Sequence, residues 1–330
     1  MHETAVATPR PPWSSRSAVR AGDYLAQVTA HELGRRRVIA TPLPCGPLLD
    51  AKQTWILRDA SGDACAAAQL SAPRAPKMVA RGVARADAIR GALDAERAAP
   101  VLSPFASGTF EGASYAVWPF CAPVRMRGGV RIGGRRFVRP LLAWLREVTR
   151  QTARAIASDA VGAQVDRNLC RMAMDARLSA HARLCARRAL DRLDRGRFRP
   201  THVAMHGDLH VGNVLIDDCD ATGRAELPMV DRFAIIDWCG ASREGYPIFD
   251  LLRLADSMRV SDARLAVELA RHCELLGGDL DDAASHTAAG LADLGAHLEC
   301  FPVAAYSALI DRVLRRLESA LSHHGGRASS

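Results

Sequence analysis

Lysine is nearly absent from this chain. Of its 44 basic residues only Lys52 and Lys77 are lysines, and aromatic residues make up just 5%. The net charge of +8 therefore comes from arginines spread along the whole sequence, with neither aromatic interleaving nor a reading-helix motif. That argues against a nucleic-acid-binding module, which clusters its cations on one face or in one motif. No apolar run is long enough to cross a bilayer. Residues 1–17 are polar and proline-containing and lack the apolar core of a signal peptide. The nine cysteines are odd in number and show no close pairs or regular spacing. This speaks against a disulfide framework or a zinc site and for a reducing, cytoplasmic setting. There is no internal repeat.

The densest chemistry lies in His206-Gly207-Asp208-Leu209-His210-Val211-Gly212-Asn213, followed by Ile235-Ile236-Asp237-Trp238. An Asp and an Asn five residues apart share one short loop, and a second Asp ends an apolar, strand-like run. Phosphoryl transfer leaves little covalent work for a protein, so catalysis is mainly positioning and charge neutralisation. A carboxylate at Asp208 can orient an incoming hydroxyl and take its proton late. The amide oxygen of Asn213 and the carboxylate of Asp237 are hard donors suited to Mg2+. Gly207 and Gly212 are expected to relax the backbone at the two ends of the loop. Each residue alone would read as a turn former or a strand cap. The joint pattern carries the reading: loop, strand 214–216, turn 217–224, and strand 233–236 delivering Asp237.

This set resembles the aminoglycoside phosphotransferase and choline kinase group of small-molecule kinases. Gly245-Tyr246-Pro247-Ile248-Phe249-Asp250-Leu251 is similar to that group's Gly-x-Pro-x-x-Asp-Leu segment. The specific part of the resemblance covers residues 205–254. It implies an α+β, protein-kinase-like two-lobed fold, with a small antiparallel-sheet lobe and a mainly helical large lobe. It also implies ATP or GTP as phosphoryl donor, and Mg2+. By the resemblance, Asp208 is the catalytic base, and Asn213 and Asp237 are metal ligands. His206 and His210 are loop-ordering residues, and Asp250 is a buried Asp tying the loop to the helix it begins. Pro119, Phe120 and Cys121 fall in the segment that in this family is the nucleotide-binding hinge. A plain inter-lobe linker is the alternative there.

The expected organisation is a flexible arm (1–20), a nucleotide-binding lobe (21–118), a hinge (119–123), a helical catalytic and substrate lobe (124–322) and a polar tail (323–330). In the first lobe the pattern predicts a short helix over 23–33, strands over 36–43, 54–58 and 64–70, a helix over 79–99, and strands over 101–105 and 114–118. In the second, an apolar helix face follows Pro140. Residues 169–190 read as one long helix or as two broken near Ser179. Ser261 caps a helix that Gly277-Gly278 ends, and a last helix follows Pro302.

Two features depart from the kinase pattern. Register places Gln69 where the family carries its nucleotide-phosphate lysine, and Gln brings no charge. Lys52 and Lys77 flank the spot and either could reach in, although neither sits in the expected register and each taken singly reads as a solvated surface lysine; Arg58 and Arg74 are further candidates. The acidic partner expected on the small-lobe helix is Glu96 or Asp87. No glycine-rich loop precedes the second strand; Pro44-Cys45-Gly46-Pro47 is the nearest segment. The resulting expectation is Mg-dependent transfer of a nucleotide γ-phosphoryl group to a hydroxyl of a small molecule, with no nucleic-acid or membrane partner and an oligomeric state left open. Acidic clustering is confined to residues 278–282, which favours an anionic or neutral acceptor. The alternative is a pseudokinase-like module that binds a nucleotide or metabolite without turnover.

Overall fold

A computed structural model of the chain describes residues 15–45, 51–123, 134–156, 160–217, 232–298 and 301–328. The expectations for residues 1–14, Gly46, Pro47 and the turn beyond Asp217 lie outside these. In chain order the elements begin with α1 (Ser15–Glu32), β1 (Val38–Pro42), β2 (Gln53–Asp59), β3 (Ala64–Leu70), α2 (Met78–Arg90), α3 (Ala95–Ala98), β4 (Ala106–Phe110), β5 (Ala113–Pro119) and β6 (Ala122–Pro123). They continue with α4 (Gly134–Thr152), β7 (Arg154–Ala155), α5 (Ala160–Met174), α6 (Ala180–Asp194), β8 (Thr201–Met205), β9 (Val214–Ile216) and β10 (Phe233–Ile235). Last come β11 (Ser242–Gly245), α7 (Pro247–Ser257), α8 (Asp262–Leu275), α9 (Asp282–Ala296) and α10 (Val303–Ala328). An antiparallel-sheet N-terminal region and a helical C-terminal part are thus both present, as the resemblance implies.

Two compact units form, and they are not successive lengths of chain. The first holds Met1–Asp87, Ala99–Pro123 and Leu215–Cys239; the second holds Ala88–Ala98, Val124–Val214 and Gly240–Ser330. The first unit takes back a later segment because β9 and β10 form a small sheet with β6, in the order β10-β9-β6.

The first unit's main sheet is antiparallel throughout, in the order β1-β2-β3-β5-β4. Burial alternates from residue to residue over Gln53–Leu57 of β2 and Ala66–Leu70 of β3. Trp55 and Leu57 of β2, Ala66, Ala68 and Leu70 of β3 and Val117 of β5 are buried in one core with Leu25 of α1. Thr54, Ile56, Ala67 and Gln69 sit between them and are only partly buried, as the two-residue period of a strand requires.

Several boundaries differ from expectation. The strand expected over 101–105 lies instead at 106–110, because Glu111 (φ 49°) and Gly112 (φ 80°) make the two-residue turn that pairs Phe110 with Ala113. A turn with two positive φ values matches the twist of a hairpin and sets its register. Val101 and Leu102 are buried outside that strand, and Val101 makes an isolated parallel bridge to Ile235. The helix expected over 79–99 stops at Arg90, before Gly91. A new turn starts where Asp94 Oδ1 accepts the Arg97 N–H at 2.8 Å. Helix α1 begins at Ser15, inside the expected arm, and α10 continues to Ala328, beyond residue 322.

The second unit is built from helices with a small sheet in the order β11-β8-β7. Residues 169–190 form two helices. Ser179 breaks them by capping α6, its hydroxyl accepting the Ala182 N–H at 3.1 Å. Ser261 caps α8 in the same way, and Gly277 follows that helix at φ +75°. Helix α9 has no counterpart among the expected elements. It is buried on nearly every side, so its Ala-rich sequence shows no apolar stripe to read. Among the described residues no helix is long and apolar enough to cross a membrane.

Two buried histidines make this unit sensitive to acid. Burial, with Arg146 beside it, pushes the His272 imidazole down to about 3, and burial pushes His286 down to about 4. His272 Nδ1 lies 3.1 Å from the Thr149 hydroxyl, and His286 stands edge-on to Phe198. A histidine lowered in the folded state contributes stability that is fully present above its unfolded value near 6.5. That stability is lost as pH falls through the window toward 3. The unfolding temperature is therefore expected to fall between pH 7 and pH 5. His272→Asn, which keeps a group at the Nδ1 position, should flatten that slope by up to about 1.4 kcal/mol per pH unit. Thermal melts of both proteins across this range check it.

Candidate active site

The loop of residues 206–213 leaves β8 and returns into β9, and one face of α7 holds it. Asp250, in the first turn of α7, accepts the backbone N–H of His206 at 2.5 Å and of Gly207 at 3.0 Å. Arg253 bonds the Asp208 carboxylate. Ser257 accepts the Val211 N–H at 3.0 Å. Positions i, i+3 and i+7 of a helix share one face, so three consecutive turns grip the loop at its start, middle and end. Asp250 is fully buried, and burial raises its carboxyl above the ordinary range, against the pull of His206 and the backbone N–H groups.

The loop also orders itself. His206 Nδ1 accepts the Asp208 N–H at 3.2 Å, and His210 Nδ1 accepts the Gly212 N–H at 3.0 Å. Asn213 donates its side-chain N–H to the Asp208 carbonyl at 3.0 Å. Gly207 needs its freedom: φ is +82°, and a Cβ there would lie 2.5 Å from the Gly240 carbonyl oxygen. Gly212 serves differently from expectation. Its φ is not positive; what it lacks is a Cβ, which would meet the His210 ring at 2.6 Å.

Asp208 is half-exposed, at 51% of its side chain. Burial of the rest would raise its carboxyl, but His210, with Nε2 3.6 Å away, and the Arg253 guanidinium outweigh this and hold it below the usual range. The group is an ionised acceptor at neutral pH.

In the first unit a cavity of about 180 Å3 is lined by one face of β2 and β3, by Val79, Val83 and Ala86 of α2, by the β5–β6 segment with Pro119, Phe120 and Cys121, and by residues 235–239. Gln69 lines it too, as register predicts. Lys52, read from sequence as a surface lysine, does not lie on the surface. Its side chain is 13% exposed and its ammonium meets Asp237 Oδ1 at 2.5 Å and Cys239 Sγ at 3.6 Å. Burial would lower this ammonium; the Asp237 carboxylate and Cys239 outweigh that and hold it above its ordinary range. Lys77 is exposed, as are Arg58 and Arg74. Neither acidic candidate is Lys52's partner. Glu96 pairs with Arg97, Asp87 is exposed, and the α2 face toward the cavity is apolar. Arg85 of α2 bonds the Cys239 carbonyl instead.

Asp237 sits at φ +67°, a left-handed conformation that Asp tolerates better than bulkier residues. The Trp238 indole N–H closes the turn onto the Ile235 carbonyl at 2.9 Å. The expected residues thus fall into two groups: His206, Asp208, His210, Asn213 and Asp250 in the second unit, and Gln69, Pro119, Phe120, Cys121 and Asp237 in the first. Sequence reasoning left Lys52 as one of several flanking candidates and missed Arg253 and Ser257. The rarity of lysine in an arginine-using chain was a signal for the first. The spacing from Asp250 was a signal for the other two.

A family model for the phosphotransferase enzyme family matches residues 48–285, and the chain belongs to that family. The range takes in both groups of residues, from Lys52 to Ser257. No curated protein matches the chain in sequence. Among solved structures, an aminoglycoside phosphotransferase from Streptomyces rimosus is 14% identical over 82% of this chain and 99% of its own, with a TM-score of 0.41. A choline kinase from Streptococcus pneumoniae is 12% identical over 91% of this chain and 99% of its own, with a TM-score of 0.49. An ethanolamine kinase from Plasmodium vivax is 11% identical over 86% and 82% respectively, with a TM-score of 0.44.

Gly207→Ala is expected to destabilise the protein by about 1–3 kcal/mol, through a strained φ and a clash with the Gly240 carbonyl. Urea unfolding should show a lower midpoint with an unchanged slope.

Proposed function

We propose that the chain transfers the γ-phosphoryl group of ATP or GTP, with Mg2+, to a hydroxyl of a small anionic or neutral molecule in the cytoplasm. The observation that carries this is the loop geometry: an ionised, half-exposed Asp208 fixed by Arg253 within a loop clamped by Asp250 and Ser257. Asp208 accepts a hydrogen bond from the acceptor hydroxyl and orients its oxygen toward phosphorus. As the new O–P bond forms and the bond to the nucleoside diphosphate breaks, the hydroxyl proton passes to Asp208. A carboxylate held below its usual range suits this order of events, because a loose transition state needs the proton to move only late.

Asn213 and Asp237 are the metal ligands of this reading. The donor chemistry fits, because Mg2+ takes hard oxygens from one or two protein groups and completes its shell with phosphate and water. Bound there, Mg2+ would neutralise charge on the phosphates. Asn213 turns its amide N–H toward the Asp208 carbonyl, which orients the amide oxygen. The β5–β6 segment with Pro119, Phe120 and Cys121 is the proposed base-binding edge of the cavity, and Gln69 a neutral neighbour of the phosphates. His206, His210 and Asp250 position the loop and take no part in proton transfer. The binding-module alternative drew its support from the absence of a lysine on β3. Lys52 beside Asp237 weakens that support.

Asp208→Ala is expected to lower kcat by about a hundredfold or more while leaving ATP affinity within about twofold. The assay is release of the nucleoside diphosphate with a panel of alcohols, sugars, amino alcohols and aminoglycosides. A wild-type protein that binds nucleotide but transfers to nothing in the panel would favour the binding module.

A further inference from the structure

Among the described residues lining the first unit's cavity there is one cation, Lys52, and it flanks the position where register places the family's lysine. We infer that Lys52, delivered from the residue preceding β2, grips the nucleotide phosphates in place of the lysine missing from β3. This rests on the phosphotransferase reading above and assigns the phosphate-binding charge within it.

Strand geometry makes the exchange possible. Thr54 of β2 stands directly opposite Gln69 of β3. Lys52 precedes Thr54 by two residues, so it falls on the same face of the sheet and diagonal to Gln69. Lys52, Thr54, Ile56, Ala67 and Gln69 all line the cavity. A long side chain reaching across from the diagonal position delivers its charge to the space a β3 lysine would serve. Among the described lining residues Lys52 and Asp237 are the only charged groups, so a polyphosphate entering this cavity meets a single cation there.

The pairing around Lys52 explains how the change of position is sustained. Its partners are the Asp237 carboxylate and the Cys239 thiol rather than an acidic residue of α2. Gly82 of α2 lets Cys239 pack close, since a Cβ at Gly82 would lie 2.9 Å from the Cys239 sulfur. Cys239 also donates its S–H to the Met78 carbonyl at 3.6 Å, and Arg85 bonds the Cys239 carbonyl. Helix α2 therefore braces the turn that carries Asp237, and that turn positions Lys52. In this arrangement Asp87 and Glu96 have no role in phosphate binding.

Isothermal titration of the full chain with ATP plus MgCl2, and separately with adenosine, tests the assignment. Lys52→Met is expected to weaken ATP roughly ten- to a hundredfold, the loss of a charge-assisted contact, and to leave adenosine unchanged. Lys52→Met combined with Gln69→Lys should restore a substantial part of the ATP affinity, which a merely structural role for Lys52 would not allow. Asp87→Asn and Glu96→Gln should bind ATP as wild type does. If Lys52→Met does not fold, Lys52→Gln keeps a polar group there and serves the same comparison. ATP affinity equal to wild type in a folded Lys52 variant, or equal losses for ATP and adenosine, would overturn the assignment alone. A wild-type protein that binds neither ATP nor adenosine would sink the phosphotransferase reading together with it.

Discussion

One face of α7 sustains the loop of residues 206–213. Asp250, Arg253 and Ser257 lie at i, i+3 and i+7, and each engages a different part of the loop: the N–H groups at its start, the Asp208 carboxylate, and the N–H of Val211. A loop with two glycines has a large conformational entropy to lose. Three anchors on a rigid helix remove that freedom once, when the domain folds. Burying Asp250 is costly in itself. The backbone N–H groups it accepts offset the cost, and removing either side would leave a buried polar group unmet.

In the first unit the governing constraint is the two-residue period of the sheet. Trp55, Leu57 and Leu70 turn into the core with α1, and the intervening side chains face the cavity. The period assigns Lys52 to the cavity face, and the apolar surroundings then demand a partner for its charge. Asp237 meets that demand from a turn closed by the Trp238 indole. A pair of this kind does not by itself make a fold more stable, but deleting one member strands the other. The geometry of the pair is therefore tightly specified.

The parts legible in the sequence are those set by local chemistry. Ser179 and Ser261 cap helices because a hydroxyl at that position satisfies an exposed N–H. Strands β2 and β3 show their alternation directly, and the loop of residues 206–213 carries its glycines and polar residues within eight positions. Parts that depend on burial on several sides were not legible. Helix α9 presents no stripe because nearly all its faces are covered. Val101 and Leu102 read as a strand, but pairing there is limited to one parallel bridge from Val101 to Ile235, because an apolar run marks burial and not the extent of pairing. The Glu111-Gly112 hairpin was readable from its glycine but was overshadowed by that run.

The sequence by itself determined the family, the loop with Asp208 and Asn213, and the strand that ends at Asp237, because each is a contiguous pattern with a local physical meaning. Only the tertiary structure decided which cation faces the cavity and which residues hold the loop. Lys52 and Asp237 are 185 residues apart, and Arg253 meets Asp208 across 45. Such pairings are made by strand register and by the face a helix presents, and neither is a property of any segment alone. Gln69 occupies the expected register, yet the cation facing the cavity comes from the residue just before the neighbouring strand, since a sheet face offers positions along both chain segments and packing selects between them.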